Sequence, residues 1–168
     1  LPSATVLKYA RGRNKGNRVG IFAVGNPVTD LPPLPAAEQE AQEVSALFEK
    51  RFLLIGKQAT KPSMKNQSSK YDLLHLSTHG EMIESNPLKS NLRFTLSEKD
   101  DGKLTVDEIF DMEIKANLVT LSACETALVK GEAGDFPQGD DLVGLSRAFI
   151  HAGAPSVVAS LWKVSDDS

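Results

Sequence analysis

Five short apolar runs divide the chain, and the helical spacing between them limits the fold more than any other feature. The runs lie near residues 18–25, 51–55, 71–77, 117–123 and 156–162. The third contains Leu73-Leu74-His75-Leu76, which is nearly continuous rather than alternating. A strand of that kind is covered on both faces, as in a parallel sheet between helices. The first run stops at Asn26-Pro27, a turn signal, and residues 28–34 form a proline-rich loop. Pro35 suits a first helical turn and opens a helix to about Lys50, with Ala41, Val44, Leu47 and Phe48 at helical spacing. Residues 59–70 are polar and predict a short helix. Leu92 to Leu96 and Lys103-Leu104-Thr105 predict a hairpin around Lys99-Asp100-Asp101-Gly102. Thr105 to Glu108 has the pattern of a capping box that opens a helix through Phe110. Leu142 to Ala152 predicts a last helix, stopped by Gly153. Strands alternating with helices give an α/β fold: a three-layer sandwich with a mainly parallel central sheet and helices on both faces.

The 168 residues fit one domain, and a 40% hydrophobic and 24% charged composition is that of a globular chain. No apolar run approaches the roughly 20 residues of a membrane span, so no membrane partner is expected. The chain opens on Leu1-Pro2-Ser3 without a starting methionine, and it stops just after the fifth run, where such a sheet would take another covering helix. Residues 1–168 are therefore expected to be a single domain, cut from a larger protein and truncated at the C-terminal end. The single cysteine excludes an internal disulfide and a multi-cysteine zinc site, and it fits a reducing, cytoplasmic setting. No metal or cofactor is expected. Gly131, Gly134 and Gly139 lack the Gly-Lys-Ser/Thr sequence of a phosphate loop, which disfavours nucleotide binding. Residues 1–70 carry 11 Lys/Arg against 5 Asp/Glu, and residues 71–168 carry 8 against 17. An acidic rim would attract cationic peptides and repel nucleic acid; the same charges also serve as ordinary solvated loop residues.

Ser77-Thr78-His79-Gly80 follows the third run directly, and Leu121-Ser122-Ala123-Cys124-Glu125-Thr126 closes the fourth. Sites in open parallel sheets form beyond the carboxyl ends of the strands. Neighbouring strands lie about 4.8 Å apart, so adjacent third and fourth strands would bring His79 and Cys124 within working distance. A thiol needs such a base, because at neutral pH only a few per cent of it is thiolate. Gly80 would let a substrate backbone approach, and the N–H groups of Gly80 and Cys124 would form an oxyanion hole. Against this, a lone cysteine is commonly a small buried hydrophobe, and a histidine at a strand end a satisfied polar group. His75, deeper in the apolar run, reads as core, and His151, near a helix C-terminus, as surface or cap. Trp162 reads as core or pocket wall. Asn26 belongs to a turn or lines the cleft.

The string Leu74-His75-Leu76-Ser77-Thr78-His79-Gly80 resembles the histidine motif of CHAT domains, the caspase-like domains often attached to tetratricopeptide repeats. Leu121 to Thr126 is similar to their cysteine motif. Gly144 to Phe149 and Ala152 to Val164 resemble the segment after the cysteine loop, and Pro2 to Thr5 with Gly25 to Pro27 resemble the opening. The resemblance spans nearly the whole chain. It implies the caspase-like sandwich, a Cys124–His79 dyad and hydrolysis of peptide bonds in a protein or peptide substrate through a thioester. It also implies flanking tetratricopeptide repeats. A catalytically silent CHAT scaffold that binds a partner keeps the same fold. The loop from Gly131 to Asp141 departs from the family pattern. Asp140 and Asp141 would there receive a basic side chain before the scissile bond, or serve as helix-start carboxylates. Asn26 and Glu125 complete the candidate substrate contacts.

Overall fold

The computed structural model describes residues 20–83, 85–98, 100–122 and 140–159. Its elements run β1 (Gly20–Gly25), α1 (Pro35–Ala46), β2 (Lys50–Ile55), α2 (Lys61–Ser68), β3 (Leu73–Ser77), β4 (Gly80–Glu81), β5 (Asn91–Arg93), β6 (Lys103–Thr105), α3 (Val106–Phe110), β7 (Leu118–Ser122), α4 (Asp140–Ala152) and β8 (Val157–Ala159). The central sheet has the order β2-β1-β3-β7-β8, and every pairing in it is parallel. The third and fourth predicted strands, β3 and β7, are neighbours in register, with His75 beside Thr120 and Ser77 beside Ser122.

Side-chain alternation sorts the strands into two faces. Phe22, Val24, Leu74, Leu76, Val119 and Leu121 point to one side and form a single buried cluster with Met64 of α2, Ile109 of α3 and Leu145 and Phe149 of α4. Ile21, Ala23 and Gly25 point to the other side, where α1 packs with Ala37, Ala41 and Ser45 buried. The approach is close: a Cβ on Gly25 would lie 2.8 Å from the Ala37 carbonyl oxygen and 2.8 Å from the Ala41 Cβ. Helices on both faces give the expected three-layer α/β sandwich.

Helix α1 ends at Ala46, earlier than its apolar spacing predicts, and Leu47 is 80% exposed beyond it. Its small buried residues, rather than Val44, Leu47 and Phe48, form the packing face, because a tight helix–sheet approach excludes large side chains. The predicted hairpin forms as β5 paired with β6, and β4 adds a third antiparallel strand that two residues were too few to announce. Lys61, buried at the start of α2, ties this small sheet to the domain. Its ammonium lies 3.1 Å from Asp101, 3.2 Å from Glu108 and 3.4 Å from Asp100. The Thr105–Glu108 capping box opens α3 as its pattern predicts.

Candidate active site

His79 follows β3 by two residues, and Gly80 starts β4, so the histidine occupies the turn between the large sheet and the small one. Three contacts pin that turn to β5. The Thr78 hydroxyl donates to the Arg93 carbonyl, the Arg93 N–H donates to the His79 carbonyl at 2.8 Å, and Gly80 pairs with Leu92. This register makes Gly80 and Leu92 a pair without mutual hydrogen bonds, so the Gly80 N–H points away from β5.

His79 is 2% exposed, and its Nε2 lies 2.7 Å from the main-chain oxygen of Pro32. A carbonyl oxygen only accepts, so Nε2 carries the proton and Nδ1 is the basic nitrogen of the neutral ring. Pro32 belongs to the proline-rich loop after β1, and two devices shape that loop. Asn26 takes a left-handed conformation (φ 48°), uncommon outside glycine and most often seen for residues such as asparagine. Its N–H donates to the Ser77 carbonyl at 3.2 Å, its side-chain amide donates to Glu38 at 3.0 Å, and its side-chain oxygen accepts from the Leu34 N–H at 2.7 Å. Farther along, Asp30 forms an ion pair with Arg93, whose side chain is 7% exposed. The hydrogen bond from Arg93 holds the Asp30 carboxyl below the usual carboxylate range. Arg93 also meets Glu81 at 3.0 Å. Burial would raise Glu81, but the Asn91 amide and the charges of Lys103 and Arg93 outweigh it and keep this carboxyl low as well.

On the α1 side of the sheet, Glu40 reaches the ends of β3 and β7. One oxygen accepts from Ser77 at 2.6 Å and from Ser122 at 2.8 Å, and the other stands 3.6 Å from Nε2 of His75. Burial pushes the His75 imidazole below its ordinary pKa, against the opposing pull of Glu40.

Cys124, Glu125, the loop at 129–139 and Trp162 lie outside the described residues, as do the side chains of Asp140 and Asp141. Their place relative to His79 is therefore not part of this geometry. His75 is 5% exposed and belongs to the interior, as its run predicts. His151 is a surface residue whose ring meets Phe110 edge-on, 5.0 Å between centroids. Sequence reasoning missed Pro32, Arg93 and Glu40. Two of them left a trace: Arg93 interrupts an apolar hairpin strand, and Glu40 falls three residues after Ala37, beside the buried stripe of α1.

Residues 1–168 match the CHAT domain family. The chain belongs to that family. This CHAT chain is 29% identical over 165 residues to tetratricopeptide repeat protein 28 of Mus musculus, an alignment covering 79% of this chain and 6% of that protein. It is 27% identical to tetratricopeptide repeat protein 28 of Homo sapiens, again over 79% of this chain and 6% of the relative. The matched region is thus a small part of either relative. Among the described residues of the CHAT chain, no group of three or more His, Cys, Asp or Glu is placed to hold a metal ion, and no helix is long and apolar enough to cross a membrane.

Proposed function

We infer that this CHAT domain is a cysteine endopeptidase, with Cys124 as nucleophile and His79 as its base. The observation that carries the reading is the tethered imidazole. His79 stands just beyond β3, and the Pro32 main-chain oxygen 2.7 Å from Nε2 puts the ring proton there, which makes Nδ1 the proton acceptor of the proposed dyad. β7, the strand that leads to Cys124, runs beside β3 with Ser122 opposite Ser77, two residues before each member of the pair.

In the proposed reaction the thiol proton passes to Nδ1 of His79, and the sulfur attacks the scissile carbonyl carbon. The N–H groups of Gly80 and Cys124 stabilise the oxyanion; the Gly80 N–H, which points away from β5, supports that role. The intermediate collapses with loss of the amine, which takes its proton from His79, and leaves a thioester on Cys124. Water, deprotonated by His79, then releases the carboxylic acid and restores the thiol. Asn26, Glu125, Asp140 and Asp141 are the proposed substrate contacts, with the two aspartates favouring a basic residue before the scissile bond. Neighbouring tetratricopeptide repeats in the natural protein, suggested by the names of the relatives, would present the substrate or the activating partner.

Alkylation kinetics test the assignment without a known substrate. Iodoacetamide should label Cys124 faster than an ordinary thiol, and His79→Ala should remove the excess. Labelling at the ordinary rate, indifferent to His79, would instead fit a silent scaffold.

A further inference from the structure

Among the described residues, one buried charged side chain near His79 is not used by the reaction itself. Arg93 is 7% exposed, and three parts of it converge on the histidine. Its N–H holds the His79 carbonyl at 2.8 Å. Its carbonyl accepts from the hydroxyl of Thr78, the residue before. Its guanidinium grips Asp30, two residues before Pro32, whose oxygen holds the ring. The backbone of one residue thus fixes the histidine main chain, while its side chain fastens the loop that fixes the imidazole.

We propose that Arg93 is the positioning residue of His79, acting through Asp30 to keep the Pro32 carbonyl on Nε2 and so to hold the ring in its Nε2–H tautomer. The proposal rests on the reading of His79 as the base of Cys124. The physical need is specific. A neutral imidazole released from its carbonyl partner exchanges between two tautomers and can rotate about its side-chain bonds. Only the form with a lone pair on Nδ1, aimed along one direction, serves as the base described above. A neutral hydrogen bond to Pro32 supplies that bias, but Pro32 sits on an exposed loop and offers no side-chain donor of its own. The loop needs an anchor. Asn26 anchors it beyond Pro32, at Leu34; Asp30 is the anchor before Pro32, and Arg93 receives it as a forked donor whose second arm is already held by Glu81 at 3.0 Å. A lysine would offer one compact charge and could not keep both carboxylates in a planar fork.

The test separates loop anchoring from folding. Asp30 is 63% exposed, so Asp30→Ala removes the tether while leaving Arg93 paired with Glu81 and the β5 contacts intact. Arg93→Lys is the second variant, keeping the charge without the fork. The chain has three histidines, so nitrogen-15 spectra of the imidazoles can be assigned by the loss of one set in His79→Ala. The unmodified protein should show His79 as the Nε2–H tautomer. Both variants should mix in the Nδ1–H form and slow iodoacetamide labelling of Cys124 about 3- to 10-fold, the range of one net hydrogen bond. An Nδ1–H tautomer in the unmodified protein, or an unchanged tautomer or labelling rate in Asp30→Ala, would overturn the proposal. Failure of the underlying dyad is recognised separately, by a labelling rate that His79→Ala leaves unaltered, and it would take the proposal down with it.

Discussion

Ser77 and Ser122, side by side on neighbouring strands, donate to the same oxygen of Glu40, at 2.6 and 2.8 Å. One carboxylate from α1 therefore clasps the ends of the two strands that lead to His79 and Cys124. Hydrogen bonds to a charged acceptor are worth about 1.5–3 kcal/mol each when well protected, but the Glu40 side chain is 40% exposed, which lowers that figure. Glu40→Ala should cost about 1–2 kcal/mol in urea unfolding, and Glu40→Gln less, because its amide oxygen still accepts. The losses in Ser77→Ala and Ser122→Ala should not add, since the two hydroxyls share one acceptor. Strict additivity would mean that the clasp does not couple the strands.

His75 gives the fold an acid-sensitive element. Its Nε2 is buried and sits 3.6 Å from Glu40, beyond hydrogen-bond length. Its folded pKa is depressed, with burial as the main cause, while the unfolded imidazole titrates near 6.5. Below that pH the unfolded chain binds more protons than the folded one, so stability falls as pH drops. The contribution of His75 should be complete above about pH 6.5 and decline below it, by at most about 1.4 kcal/mol per pH unit. His75→Leu should flatten this limb in urea titrations at pH 7, 6 and 5. An unaltered slope would assign the acid sensitivity to other groups.

The closeness of α1 to β1 sets a third expectation. Gly25→Ala would place its Cβ 2.8 Å from a backbone oxygen of α1, which cannot swing aside as a side chain can. The helix must shift, at about 1–3 kcal/mol for such overpacking. Thermal melting should show a clear loss. A neutral result would mean that α1 is more loosely seated than its buried alanines indicate.

The sheet was legible in the sequence because a strand covered on both faces leaves an uninterrupted apolar run, as Leu73 to Leu76 does. The parallel order that makes β3 and β7 neighbours followed from the strand–helix alternation. The histidine tether was not legible, because Pro32 acts through a main-chain oxygen, which any residue has. Arg93 was visible only as an oddity, since its role depends on partners 12 and 63 residues away, Glu81 and Asp30. The end of α1 was misjudged because Leu47 continued the helical spacing without having a surface to pack on.

Peptide-bond cleavage by the protein in its natural context, read as new N-termini by mass spectrometry, tests the central claim most directly. Cys124→Ser exchanges one atom, leaving packing nearly unchanged, while its hydroxyl is far less acidic than a thiol. His79→Ala should cost a similar factor, and the double variant should be no worse than either single one, because nucleophile and base act as a unit. The account predicts cleavage by the unmodified protein and none above background for Cys124→Ser. A Cys124→Ser rate above about a tenth of the unmodified one, a barrier change under about 1.4 kcal/mol, would contradict the assignment of Cys124 as nucleophile.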